Sequence, residues 1–250
     1  MVLITGASSG IGEACAYRFA QDGYPLVLWA RRKNKLIQVK NKCLKMGAPL
    51  VHVAEVDVKQ KKKISSEIKK LPKVYKNISI LINNAGLARG FDFIQNSNSM
   101  DWDEMIDVNI KGLLYVTEAL LSAMIKLKNS HIVMMGSVAG HWSYPKGHAY
   151  CASKSAVRSL TESLRMDLLG TGVRVTEIAP GMVETEFSEV RFRDKQKAKQ
   201  VYQGMTPLCA QDIAEAVLWS VCRPPHVNIQ SLVIYPTDQA SPTLVSRKNQ

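Results

Sequence analysis

The chain has 250 residues, 33 Lys and Arg against 21 Asp and Glu for a formal net charge of +12, with 46% hydrophobic and 22% charged residues. This composition excludes a disordered or fibrous chain, and the length suits one large α/β core. No apolar run reaches the roughly 20 residues expected of a membrane-spanning helix.

In chain order, short apolar runs at 2–5, 26–30, 51–56, 78–83, 131–136, 173–178 and 232–235 read as strands. Amphipathic stretches at 11–22, 33–46, 59–71, 101–127, 149–170 and 211–222 read as the helices between them. Most of the runs are apolar on both faces, as parallel strands covered on two sides are. The alternation predicts an α/β chain folded as one domain, 1–250, with a doubly wound, seven-stranded parallel sheet and helices on both faces. The alternation breaks at 182–207, a polar, Lys-rich stretch read without a strand. Its place after a strand end favours a lid over a tolerated surface excursion. The last residues, 246–250, read as a loose tail.

The N-terminus, Met1-Val2-Leu3-Ile4-Thr5-Gly6, has no basic segment ahead of an apolar one, so no secretory signal is expected. Cys15, Cys43, Cys151, Cys209 and Cys222 form no C-x-x-C and read as reduced thiols in the cytoplasm. His52, His131, His141, His148 and His226 lack metal-ligand spacing, and no metal site is expected. The positive charge gathers at 31–45 and 59–76. Leu36, Val39, Leu44, Ile64, Ile68 and Leu71 recur there at helical spacing, so solvated helix faces are favoured over a nucleic-acid patch. No nucleic-acid or membrane partner is expected.

After the first strand comes Gly6-Ala7-Ser8-Ser9-Gly10-Ile11-Gly12, opening a helix. Glycines there let the backbone approach a pyrophosphate, and the helix start offers free N–H groups. At the end of the second strand, Trp29-Ala30-Arg31-Arg32-Lys33 places two guanidinium groups where an NAD site has an acidic residue. Cations at a helix start oppose its dipole, so a 2′-phosphate clamp is the better reading, with Ser8 and Ser9 adding hydroxyl bonds. Asp57-Val58 follows the third strand, where Asp57 suits an adenine amino group or a helix cap. Asn83-Asn84-Ala85-Gly86 follows the fourth, small enough for a cofactor to cross or a plain turn.

Tyr150-Cys151-Ala152-Ser153-Lys154 sets a phenol and an amine at i, i+4 on one helix face. A neighbouring ammonium draws a phenol down from about 10 towards the range useful for proton transfer. Ser137, past the fifth strand, is placed to hold a substrate oxygen. An exposed helix pair is the bland alternative, but the glycine turn and Ser137 make coincidence a poor account.

Together these residues resemble the classical, NADP-preferring short-chain dehydrogenases/reductases: TGASSGIG at 5–12, Arg31-Arg32, Asp57, NNAG at 83–86, Asn109, Ser137, YxxxK at 150–154, and Pro180-Gly181 with Thr185. The resemblance implies a Rossmann-type fold and NADP(H), with Tyr150 as acid/base and Lys154 at the nicotinamide ribose. It further implies that Ser137 orients the substrate, Asn109 holds a relay water, and Pro180, Gly181, Val183 and Thr185 lie near the nicotinamide. Residues 185–192, 214–217 and 225–229 are similar to the NADP-dependent 3-hydroxy acid dehydrogenase branch. That likeness implies serine, allo-threonine or a related 3-hydroxy acid as substrate, and a cytoplasmic homotetramer.

A carboxylate substrate calls for a cation near the pocket, with Arg191 and Arg89 as candidates. His141, Trp142 and Tyr144 are expected along its wall. Two other readings stay open: a reductase of ketones or aldehydes without a carboxylate, and a non-enzyme that senses NADP(H) or binds nucleic acid.

Overall fold

The computed structural model describes residues 1–248. In chain order the elements are β1 (Val2–Thr5), α1 (Gly10–Gln21), β2 (Leu26–Ala30), α2 (Lys33–Lys45), β3 (Val51–Glu55), α3 (Lys61–Lys70), β4 (Ile80–Asn83), α4 (Ser99–Ile106), a π-helical turn (Asp107–Gly112), α5 (Leu113–Lys126), β5 (Ser130–Met135) and α6 (His148–Asp167). They continue with β6 (Val173–Pro180), β7 (Val183–Glu184), α7 (Phe187–Phe192), α8 (Lys195–Val201), β8 (Leu208–Cys209), α9 (Ala210–Val221) and β9 (Ser231–Ile234).

The seven-stranded sheet is parallel throughout, in the order β3-β2-β1-β4-β5-β6-β9. Strand order reverses between β1 and β4, so the crevice past their carboxyl ends is where such sheets take a ligand. The two-sided apolar strands feed two cores. Val2 and Ile4 pack beneath α1, α2 and α9 with Phe19, Leu36 and Val217, while Leu3 faces the other way towards Ile64, Leu113 and Val157 of α3, α5 and α6. Each such side chain contributes roughly 1.5–3 kcal/mol on burial.

Three expectations need correction. The stretch 182–207 holds α7 and α8 and does contain a strand: β7 pairs in parallel with β8, tying the two ends of the excursion together. The segment 99–126 is long and apolar enough to cross a membrane by length and composition, contrary to the sequence reading. Six of its apolar residues, Met105, Val108, Leu113, Val116, Leu120 and Met124, sit in the core. The end of the chain is pinned rather than loose up to Lys248. Ser246 N–H donates to Asp238 O at 2.7 Å and Lys248 N–H to Gly204 O at 2.8 Å, and Arg247 donates to the carbonyls of Gln203 and Val201. The rest of that tail, Asn249 and Gln250, lies outside the described residues.

All five cysteines are free thiols. Among the described residues no group of three His, Cys, Asp or Glu is placed to hold a metal ion.

Candidate active site

At the carboxyl end of β1 the chain turns with Gly6 and Gly10 in the left-handed region, at φ +66° and +56°. A Cβ on Gly12 would lie 2.5 Å from Gly6 O, so only glycine lets α1 seat against this turn. Thr5 Oγ1 accepts from the amides of Asn84 and Ala85 at 3.1 and 3.0 Å, and Asn84 Nδ2 donates to Thr5 O at 2.9 Å. These bonds fix the glycine turn to the NNAG turn. Ser9 stands at the N-cap of α1 without making a cap bond; its hydroxyl accepts from Arg32 Nη2 at 2.5 Å instead, while Arg32 Nε donates to Ser8 Oγ at 3.2 Å. The first amides of α1, at Ile11 and Gly12, thus keep their N–H groups free of a side-chain cap. A glycine cradle, an uncapped helix start and a guanidinium seated on two hydroxyls fit a pyrophosphate and a 2′-phosphate.

The remaining sequence candidates fall into place unevenly. Arg31 is exposed, and it is Arg32 that occupies the Ser8–Ser9 pair. Asp57 Oδ1 accepts from Lys59 N at 3.0 Å, but α3 begins later with Gln60 as its N-cap, so Asp57 shapes the turn and does not cap the helix. Val58 is buried beneath Gly112, where a Cβ would lie 2.6 Å from Val58 Cγ2. Asn83 turns its side chain inward, donating to Thr117 Oγ1 at 2.8 Å, and Asn84 does the bridging. Ala85 and Gly86 lie on the crevice side, and a Cβ on Gly86 would come within 3.6 Å of Lys154 Nζ. Thr185 lies over Gly10, with Thr185 Cβ 3.3 Å from where a Gly10 Cβ would be. Val183 is buried in β7, its carbonyl accepting from Tyr202 OH at 2.8 Å. At the Pro180-Gly181 turn, Gln239 Oε1 accepts from Met182 N at 2.8 Å.

At the chemical end, Tyr150 and Lys154 sit one turn apart on α6, 8% and 6% exposed. Lys154 Nζ lies 6.0 Å from the centre of the Tyr150 ring and donates to Met135 O at 2.8 Å. Burial pulls the Lys154 ammonium down to about 8, opposed by the negative charge of Glu177. Burial pushes the Tyr150 phenol above the ordinary tyrosine range; the charge of Tyr144 adds to this, and the downward pulls come from a Ser137 hydrogen bond and Arg191. The expectation that Lys154 draws the phenol down therefore gives way to desolvation in the folded chain. Ser137 Oγ also accepts from Ala139 N at 3.1 Å and faces Pro180 O at 3.5 Å.

Asn109 lies in the π turn between α4 and α5, a feature common at functional sites and invisible to the helical period. Its Nδ2 donates to Leu87 O at 2.8 Å and Ser153 Oγ at 3.0 Å, and its Oδ1 accepts from Leu87 N at 2.9 Å. Its side chain is a strut joining the NNAG loop to α6.

Several neighbours escaped the sequence reading. Glu177 is 1% exposed on β6; its Oε2 accepts from Ser231 Oγ at 2.9 Å and lies 3.0 Å from His141 Nε2, while its Oε1 has no hydrogen-bond partner among the described residues. Gly136 makes room for that carboxylate, since a Cβ there would lie 2.3 Å from Glu177 Oε1. Phe187 of α7 stacks on Tyr150 with ring centres 5.7 Å apart. Arg191 of α7 donates to Gly90 O at 3.1 Å and to Tyr144 OH at 3.0 Å, and its guanidinium lies 5.6 Å from the Tyr150 ring centre and 4.8 Å from that of Phe91. Among the described residues no carboxylate pairs with it. Arg89 does not compete for that place: it donates to both oxygens of Glu104, at 2.7 and 3.3 Å, and to Val190 O at 2.6 Å, which neutralises it. Tyr144 lines the wall beside Arg191. Trp142 is half exposed and packs on His141 and Tyr235 at the rim, rather than against Tyr150.

Residues 1–196 match the short chain dehydrogenase family. The chain is 46% identical over 242 residues to sulfoacetaldehyde reductase 2 of Chromohalobacter salexigens, covering 96% of this chain and 95% of that one. It is 43% identical over 242 residues to the NADP-dependent 3-hydroxy acid dehydrogenase YdfG of Escherichia coli K12, covering 96% of each. The closed form of serine dehydrogenase complexed with NADP+ superposes with a TM-score of 0.93 at 41% identity, covering 99% of both chains. With the glycine turn, the seven-stranded parallel sheet and the Ser137–Tyr150–Lys154 set in one crevice, this chain belongs to the short chain dehydrogenase family.

Proposed function

We propose that the chain is an NADP(H)-dependent oxidoreductase that interconverts a 3-hydroxy acid, such as serine or allo-threonine, and its carbonyl partner. One observation carries this reading: Arg191, a guanidinium with no carboxylate partner among the described residues, stands 5.6 Å from the Tyr150 ring centre, beside the proton-transfer group. Arg191 would hold the substrate's acid group while Ser137 and Tyr150 hold its hydroxyl oxygen. The 3-hydroxy acid and serine dehydrogenases and the sulfoacetaldehyde reductase among its relatives support this, since each is named for a small substrate that bears an acid group.

NADP(H) would lie across the crevice between β1 and β4. The amides of Ile11 and Gly12 would face its pyrophosphate, and Arg32 with Ser8 and Ser9 its 2′-phosphate. Asp57 and Val58 would edge the adenine side, and Ala85, Gly86, Pro180, Gly181, Val183 and Thr185 the path to the nicotinamide end. When bound, the nicotinamide accepts or returns the hydride. The chain supplies the proton chemistry. With its phenol held up by burial, Tyr150 is protonated at neutral pH, the form that donates a proton to a carbonyl oxygen in the reductive direction. In the oxidative direction the Tyr150 phenolate, stabilised by the Lys154 ammonium, takes the hydroxyl proton and becomes the phenol. Asn109 braces the loop that presents Gly86 to Lys154.

The excursion 182–207 would act as the lid over this pocket, since its α7 carries both Phe187 and Arg191. Five free thiols favour a reducing, cytoplasmic setting. Leu114, Leu121, Ile125 and Leu164 line an open apolar groove between α5 and α6. A homotetramer that pairs these helices would cover it, which a sizing measurement checks. The lysines of α3 read as a solvated face: Lys63 pairs with Glu67 and Lys61 with Glu118.

Tyr150→Phe tests the chemistry. We expect turnover to fall by about a thousandfold while NADPH binding, read by its fluorescence, is retained. Unchanged turnover would remove Tyr150 as the proton donor.

A further inference from the structure

Arg32 and Lys35 already hold an anion, and the chain itself provides it. Arg32 Nη1 donates to Glu186 Oε2 at 2.7 Å and Lys35 Nζ donates to Glu186 Oε1 at 2.5 Å. The opposite edge of the same guanidinium is taken by Ser8 and Ser9. Glu186 comes from the far side of the crevice, 154 residues along the chain from Arg32. It follows Thr185, which lies over Gly10, so this one carboxylate reaches across the glycine turn to the end of β2. Hydrogen bonds from Lys35 and then Arg32 hold its carboxyl down to about 2, so it is ionised at any pH at which the protein works.

A phosphate monoester carries about −1.5 to −2 at neutral pH and seeks the same donors. A carboxylate and a phosphate on one guanidinium repel each other, and each takes N–H groups the other uses. We propose that Glu186 is an internal counter-ion that competes with the 2′-phosphate of NADP(H) for Arg32 and Lys35, and so sets how strongly the chain prefers NADP(H) over NAD(H). This inference rests on Arg32 being the phosphate clamp. Lys35 enters as a second cation of that clamp, and the sequence reading had passed it over. The arrangement keeps the clamp ordered and half-neutralised before the cofactor arrives, and it lowers the barrier to cofactor exchange by offering Arg32 a replacement partner.

Equilibrium titrations with NADPH, NADH and adenosine 2′,5′-bisphosphate, read by ligand fluorescence or heat and needing no turnover, test it on the wild type, Glu186→Gln, Lys35→Ala and Arg32→Ala. Glu186 is half-exposed, so Glu186→Gln disturbs no core packing. We expect Glu186→Gln to bind NADPH and adenosine 2′,5′-bisphosphate about fivefold more tightly with NADH unchanged, and Lys35→Ala to bind the two phosphorylated ligands several-fold more weakly. Unchanged or weaker binding of NADPH by Glu186→Gln overturns the proposal, as does equal tightening of NADPH and NADH. Failure of the clamp itself would show separately, as an Arg32→Ala variant that loses no more affinity for NADPH than for NADH.

Discussion

Tyr150 and Lys154 are 8% and 6% exposed, whereas the side chains of Arg32 and Lys35 are 44% and 43% exposed. The buried end gains its reactivity from desolvation. Lys154 is brought to about 8 by burial, and the phenol beside it is pushed up by the same cause, on a rigid helix braced by Asn109. The exposed end gains its selectivity from the number and direction of its N–H donors, in solvent that screens charge. Under the proposed function, one crevice would set proton chemistry by burial and cofactor choice by hydrogen-bond geometry. Substitutions at the two ends should consequently leave different signatures.

After the loss of turnover expected of Tyr150→Phe, the next largest effect belongs to the exposed end and falls on binding. Arg32→Ala removes the guanidinium seated on Ser8 and Ser9 and should weaken NADPH by about 10- to 100-fold, with NADH nearly untouched. The loss should shrink as salt is raised in fluorescence titrations, because the clamp is open to ions. A loss independent of salt would mean that the two ends do not differ as described.

A smaller effect should come from the buried end, as a shift in pH. Glu177 holds Lys154 up against the pull of burial. Without that charge, in Glu177→Gln, the folded lysine should lose its proton at lower pH. The alkaline limb of kcat, which falls as Lys154 deprotonates, should move down by about one pH unit. Circular dichroism and Tm would show that the variant is folded. An unmoved limb would detach Glu177 from the proton chemistry and leave it a packing residue behind Gly136.

Much of the scaffold was legible because its signals are local. Val2–Thr5 and Leu26–Ala30 are apolar on both faces and formed strands over the expected residues, and the glycines at 6, 10 and 12 formed the turn that only glycine permits. Tyr150 and Lys154 meet because i, i+4 is a helical neighbour. The features that escaped depend on distant partners. The π turn at Asp107–Gly112 adds a residue to a helical period and packs Gly112 on Val58, which no periodicity reveals. Arg89 resembled Arg191 in the sequence until Glu104 and Val190 O claimed it. Glu177 stood in a strand read only for its apolar residues, and Glu186 and Lys35 pair across 151 residues of chain.

The central claim is that an anionic substrate lies between Arg191 and Tyr150. Its most direct test is kcat/KM for a 3-hydroxy acid and for its uncharged methyl ester, in the wild type and in Arg191→Gln. The account predicts that the wild type prefers the acid by about 10- to 100-fold. In Arg191→Gln that preference should collapse through loss of the acid's rate, with the ester's rate little changed. A preference that survives the substitution, or a wild type that turns over the ester as well as the acid, would contradict it and favour a reductase of uncharged carbonyls.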